Sequence, residues 1–306
     1  MHSNRKFNFV TSARKFMLIS LVITILGIVA ISIAGLNYGI DFSAGTSMDI
    51  SDKQQVEEAK LRPFLDEHKL GEYSLTVSTS DNRASIRFKE ALTQDQEKAL
   101  KADYFEKFGH DASFEVNIVD PEIAKEQQRS ALIGMAIACV GIVLYVSIRF
   151  EWRFAVAAII SLVYNAFFVI AVFSLFQLEV NLPFILAVLT IIGYAINDTV
   201  VIFDRIRENL RFAKLKTHAD LEDLVNKSIW QTLHRSINTV VTVLIAAVCL
   251  FIFGSESIKL FSLAMIVGLA SGAYSSIFIA SPIWLYFKKK QPIKKTPVAA
   301  KAAPNP

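Results

Sequence analysis

Asp198 lies inside an apolar run, residues 182–203. A carboxylate at the centre of a lipid-crossing helix costs about 2.5–3.5 kcal/mol, so such a group faces protein or a wet cavity and marks an ion or proton path. Thr190, Tyr194 and Asp198 recur four apart, which on a helix puts them on one face beside Asn197. In a later apolar stretch Arg235, Thr239 and Thr242 form a matching strip. If those two helices are neighbours, Arg235 stands near Asp198. Burial favours a neutral acid and a nearby guanidinium favours the carboxylate, so moving the arginine would switch the acid's hold on a proton. The competing reading of the pair is an ion pair that only fixes helix packing. Asp204, next to Arg205, is a weaker candidate because it falls at a span end, where solvated charge is ordinary.

These residues need membrane helices to position them. The chain has 306 residues, 53% of them hydrophobic, and a mean hydropathy of +0.42; both figures exceed those of a soluble globular domain. Six stretches have the length that crosses a hydrocarbon core about 30 Å thick: residues 16–36, 130–148, 154–176, 182–203, 237–253 and 260–287. Lys and Arg gather on one side, at Arg5, Lys6, Arg14 and Lys15, at Arg149 and Arg153, from Arg205 to Lys216, and in the tail 288–306 with Lys288, Lys289, Lys290, Lys294 and Lys295. The positive-inside rule then makes residues 1–15 and the tail cytoplasmic and puts the insert 37–128 outside. Acidic side chains outnumber basic ones in that insert, so the formal charge of +4 hides an acidic outer module and a basic inner face. The basic balance indicates orientation and no nucleic-acid partner. The first span is too long for the core of a cleavable signal and is read as retained.

Inside the insert, Asn37 to Thr46 suggests tight turns where the chain leaves the membrane. A strand at 46–50, an amphipathic helix at 52–68, a hairpin of 73–79 and 84–89 about the turn 80–83, a helix at 93–108 capped by Thr93 and Gln96, and a strand at 113–119 follow. That order, β-α-β-β-α-β, is ferredoxin-like. The expected fold is therefore an α-helical membrane protein of six transmembrane helices, with an extracytoplasmic α+β domain between helices 1 and 2.

Chemistry of other kinds finds no support. His68 and His110 lie far apart at predicted helix ends, Cys139 and Cys249 are isolated within spans, and no nucleophile and base are grouped, so neither a metal nor a catalytic site is expected. No nucleotide-binding loop occurs and no cofactor is expected. Asn165, after Tyr164, is suited to hydrogen bonding across helices, and Gly268, Gly272 and Ser276 form a small-residue face for close helix contact.

Four strings carry a family resemblance: Tyr38-Gly39-Ile40-Asp41-Phe42 with Gly45-Thr46, Arg149-Phe150-Glu151-Trp152-Arg153, Gly193 to Asn209, and Gln231-Thr232-Leu233-His234-Arg235-Ser236. Through them the chain resembles the SecF family, the smaller half of SecDF protein-translocation complexes in the resistance-nodulation-division superfamily. The resemblance implies a bacterial cell-membrane subunit that pairs with SecD near the SecYEG channel, with SecA acting upstream, and uses the proton gradient to draw a translocating polypeptide outward. It implies no enzyme activity. It assigns proton transfer to Asp198 and Arg235; Asn197, Thr199, Asp204, Tyr194 and Thr239, on or beside the polar strips, are expected in support. Two departures stand out. Ala44 replaces the first of two glycines, and Asn165 stands where many members carry aspartate, which removes a titratable group. Two other functions remain open: a non-conducting partner that stabilises SecD, and a small-molecule or lipid exporter on the same scaffold.

Overall fold

The computed structural model describes residues 7–52, 56–78, 82–109, 111–213 and 215–291. Arg5 and Lys6, the turn residues Ser80 and Asp81, His110, Lys214 and the tail lysines Lys294 and Lys295 lie outside the described residues. Among the described residues six helices are long and apolar enough to cross a membrane.

The first is α1, Phe9–Ala34, whose N-terminus is capped by the Asn8 side chain accepting from the Val10 and Thr11 amides. A two-residue strand β1 (Asn37–Tyr38) and the short helix α2 (Ile40–Ser43) lead into the outer domain. That domain contains β2 (Gly45–Ser51), α3 (Glu58–Glu67), β3 (Tyr73–Ser78), β4 (Arg83–Phe88), α4 (Gln94–Phe108) and β5 (Ser113–Val119). Its four strands pair antiparallel in the order β3-β4-β2-β5, the ferredoxin-like arrangement. Alternation decides which face is covered. Met48 and Ile50 of β2 and Ala84, Ile86 and Phe88 of β4 are buried with Leu61, Phe64 and Leu65 of α3 and Leu100 and Tyr104 of α4. The N-terminus of α4 carries the capping box expected from Thr93 and Gln96. Helix α3 begins at Glu58, later than the expected start at 52, because β2 continues through Ser51 in register with β4 and β5.

Ala44 occupies an unusual backbone position. Its φ of 65° and ψ of 169° fall in a region that is essentially glycine's, and Gly45 follows with φ 121°. A Cβ on Gly45 would collide with the Phe88 carbonyl. The turn from α2 into β2 is thus built for two glycines, and Ala44 holds the first position under strain.

The remaining elements are α5 (Pro121–Arg149), α6 (Trp152–Leu175), β6 (Glu179–Val180), α7 (Leu182–Phe212), α8 (His218–Phe253), α9 (Glu256–Ser275), a π-turn at Ser276–Ala280, and α10 (Ser281–Lys289). Helix α8 starts at His218, well before the apolar run at 237, because Thr217 and Asp220 close a capping box and Leu221, Leu224 and Val225 give the added turns an apolar face to bury. The π-turn precedes Pro282, which has no amide to donate to the preceding turn, and Ser281 Oγ donates to the Ser276 carbonyl at 3.0 Å. Helices α6, α7 and α9 form the centre of the bundle. At Gly268 of α9 a Cβ would fall inside Ile191 of α7, so the small-residue face does permit the close approach expected of it.

Contacts between β1 and β6 and from β4 hold the sheet over one end of the bundle. Strand β1 pairs parallel with β6 between α6 and α7. Arg87 of β4 forms an ion pair with the buried Glu179, and Arg83 Nη1 donates to the Gly254 carbonyl at 3.0 Å, at the end of α8. Both arginines lie on the strand face opposite the apolar core, so that polar face looks toward the helix tips.

Candidate functional site

Helix α7 exists because residues 182–203 are predominantly apolar, interrupted by the polar strip of Thr190, Tyr194 and Asp198, and Pro183 occupies the first turn, where a missing amide is harmless. Asn181 caps it by accepting from the Phe184 amide at 2.9 Å. Asp198 is buried at 6% exposure on the side of α7 that meets other helices of this chain. Helix α8 packs on α7 and brings two residues to the carboxyl. Ser236, 4% exposed, places its hydroxyl beside Asp198 yet has no partner at strict hydrogen-bond geometry. Arg235 is near enough for its charge to act on Asp198, but among the described residues no ion pair within 4.0 Å joins the two. The expected neighbourhood of α7 and α8 therefore exists, with the acid inside and the arginine exposed.

The rest of the expected strip separates. Tyr194 is half-buried, while Thr190 is exposed and returns its hydroxyl to the Leu186 carbonyl at 2.8 Å. Asn197 points outward with Gly193 on an uncovered face. Thr199 turns to the opposite side, where its Oγ1 donates to the Ala195 carbonyl and shares a hydrogen bond of 2.9 Å with Ser276 of the π-turn. Thr239 donates to the carbonyl of Arg235 at 2.9 Å and so stays within its own helix. Asp204 belongs to another cluster: Arg149 and Arg207 lie 3.4 and 3.3 Å from its Oδ1. Six residues along a helix separate it from Asp198 by about 9 Å, and the structure does not bring the two carboxyls together.

Asn165, able to bond across helices but better read as a packing residue, is held by packing alone. Its amide is fully buried, both Oδ1 and Nδ2 lack partners, and no bond across helices forms. The reason is what it faces: Gly272 of α9 and Ala195 of α7 approach there, and neither offers a polar side chain. Ser236, beside the acid, is a site neighbour that residue type and spacing do not single out. Ser236 directly follows the arginine of the quoted string, and that adjacency was the available signal.

Asn209 locks the basic ends of the two helices together. Its Nδ2 donates to Ser228 Oγ at 2.8 Å and to Gln231 Oε1 at 2.9 Å, so a residue from each of two quoted strings meets the other across α7 and α8. Among the described residues no group of three or more His, Cys, Asp or Glu is placed to hold a metal ion.

Comparison with known proteins agrees with this arrangement. Residues 100–290 match the family described as protein export membrane protein SecD/SecF, C-terminal, and residues 29–56 match the SecD/SecF GG motif. Protein translocase subunit SecF of Alicyclobacillus acidocaldarius is 45% identical, over 98% of this chain and 99% of its own length. Protein translocase subunit SecDF of Bacillus subtilis is 44% identical over 94% of this chain, which spans 39% of that longer protein. The crystal structure of SecDF from Thermus thermophilus, a translocon-associated membrane protein, superposes with a TM-score of 0.83 at 32% identity, covering 94% of this chain and 40% of that one. Against SecDF in the super-membrane-facing form the TM-score is 0.63. With the six helices, the ferredoxin-like insert and the motif around Asp198 all in place, the chain belongs to the SecD/SecF family of protein export membrane proteins.

Proposed function

We propose that this SecF-like protein export subunit works with SecD in a bacterial cell membrane and uses the proton motive force to promote export of polypeptides through the SecYEG channel, with SecA acting upstream. Both termini are cytoplasmic in this reading. The spans are residues 16–36, 130–148, 154–176, 182–203, 237–253 and 260–287, and the domain 37–128 works outside. The observation that carries the proposal is an acid at 6% exposure, inside a membrane helix, with an arginine in electrostatic reach and no ion pair closed. An ion pair that serves only to fix helix packing would stand closed, and here it is open. An open pair can load a proton when the guanidinium is distant and release it when the guanidinium approaches.

In this reading Asp198 carries the proton and Arg235 gates it. Thr199 holds the acid's helix in place through Ser276, Ser236 stands beside the acid, Tyr194 and Thr239 support the two helices that carry the pair, Asn197 faces outward toward a partner helix, and Asp204 anchors the basic end of α7. The latched sheet domain is the part that moves when the proton is exchanged. The relatives named as translocase subunits favour this reading over a small-molecule or lipid exporter. The assembly-partner reading is separated by one experiment. Asp198→Asn in the assembled complex is expected to abolish the gradient-dependent part of export while copurification with SecD persists. Normal gradient-dependent export by that variant excludes the relay.

A further inference from the structure

At the basic end of the bundle a groove of about 680 Å3 runs between α1 and α10, with the start of α8 as its third side. Its rim carries Arg14, Tyr286 and Lys289, and its walls include Met17, Pro282 and Ile283. Arg14 and Lys289 sit near the ends of their helices, while Met17 and Pro282 lie deeper by about one and two turns. The groove is open at the side, since Met17 is 38% and Tyr286 59% exposed. Polar rim and apolar wall thus follow the depth profile of a bilayer.

The charges at the rim are unbalanced. Glu222 also lines the groove and forms an ion pair with Lys289. Arg14 has no acceptor among the described residues, and Lys290 stands 4.6 Å from the centre of the Tyr286 ring without a carboxylate. Of the two cations lining the groove, Lys289 is neutralised and Arg14 is not, with Lys290 adding charge beside Tyr286. We infer that this groove is a binding site for an anionic phospholipid, whose phosphate meets Arg14 beside the Lys289–Glu222 pair while an acyl chain lies along Met17, Pro282 and Ile283. Basic pockets between helices at a membrane surface take anionic headgroups, and each Lys or Arg there contributes on the scale of a fivefold change in affinity. A zwitterionic headgroup places its own cation among those of the rim and is disfavoured.

Native mass spectrometry of the full-length chain, titrated with phosphatidylglycerol or with phosphatidylcholine of the same acyl chains, tests the site. The wild type is expected to retain one phosphatidylglycerol at least fivefold more tightly than phosphatidylcholine. Arg14→Gln, which breaks no hydrogen bond or ion pair among the described residues, should weaken phosphatidylglycerol about fivefold. Glu222→Gln should act in the opposite direction, because it removes the groove's one acid and frees Lys289. Lys125→Gln, on an exposed position of α5, should change nothing. Glycerol phosphate, which lacks the chains, should not displace the lipid. Equal retention of the two lipids, wild-type binding by Arg14→Gln, weaker binding by Glu222→Gln or displacement by glycerol phosphate overturns the assignment.

Discussion

The outer sheet domain and the helical bundle treat charge in opposite ways. In the domain, carboxylates find partners at the surface: Glu72 with Lys89, Glu67 with Lys107, Glu58 with Arg62 at 2.7 Å, and Asp103 with His68 at 2.9 Å. Exposed ion pairs of this kind contribute little, because water and salt screen them and both long side chains must be ordered to form them. Within the membrane helices, Asp198 is the one buried acid among the described residues, with a hydroxyl beside it and a guanidinium in electrostatic reach but no closed ion pair. Charge in the domain keeps a soluble surface, and charge in the bundle is kept at a cost. Cost without structural return is the mark of work.

That contrast can be broken most sharply at Arg235. Arg235→Met is expected to remove the gradient-dependent part of export, a fall of tenfold or more in export rate in reconstituted vesicles. Its thermal unfolding midpoint should stay within about 2 °C of the parent, because no ion pair is lost. An unaltered export rate, or a large loss of stability, would make the arginine a packing residue. Next in size is Gly268→Ala. The added methyl enters Ile191, and overpacking of about 1–3 kcal/mol should lower the midpoint in detergent by several degrees. Ala44→Gly acts the other way. Relief of the glycine-type backbone is expected to stabilise the chain by about 1 kcal/mol, read as a rise in midpoint; no rise would mean that the turn is not strained by its side chain.

The smallest effect belongs to the domain's surface pairs. Hydrogen bonds and charge from Lys107 and Lys89 hold the Glu67 and Glu72 carboxyls below the usual carboxylate range. Depressed carboxyls contribute stability above their unfolded pKa and lose it as pH falls through the folded one. Both groups are exposed, so the double variant Glu67→Gln with Glu72→Gln should shift the midpoint by no more than about 1 °C at pH 7, and the difference should vanish in acid. A larger shift would erase the contrast between the two regions. Tyr73 gives a companion check. Burial first, and its hydrogen bond to Asp66, push its phenol up to about 12, so absorbance titration should find it ionising well above the ordinary pH 10.

Much of the architecture is legible along the chain because its signals are local. Apolar runs give the six helices, period-two alternation gives Ala84, Ile86 and Phe88 their common face, and Thr93 with Gln96 announces a helix start. Gly39 and Gly45 announce the tight turns at 37–46, while the two-glycine turn at Ala44 and Gly45 is known from the family resemblance and from the backbone angles. The boundaries of α8 escape such reading. Hydropathy marks the apolar run from 237, whereas the helix reaches back to His218 on a capping box and a half-buried face. The π-turn before Pro282 escapes too, since it depends on what α9 must avoid and where Ser281 can bond.

For the site, residue type and spacing singled out Asp198 and Arg235, because an acid within an apolar helix is expensive wherever that helix packs. Spacing also placed Thr190, Tyr194 and Asp198 on one face, and to that extent it was right. Burial along that face runs from exposed Thr190 to buried Asp198, and this gradient arises from where α8 and α9 lie against α7. The same packing paired Thr199 with Ser276 across 77 positions, left both amide atoms of Asn165 facing a glycine and an alanine, and put Ser236 beside the acid. Helical periodicity is a property of one segment and fixes which side chains share a stripe. Which stripes meet, and which polar atoms find nothing opposite them, is set by the close approach of separate helices at small residues such as Gly268 and Gly272, and no stretch of a single helix contains that information.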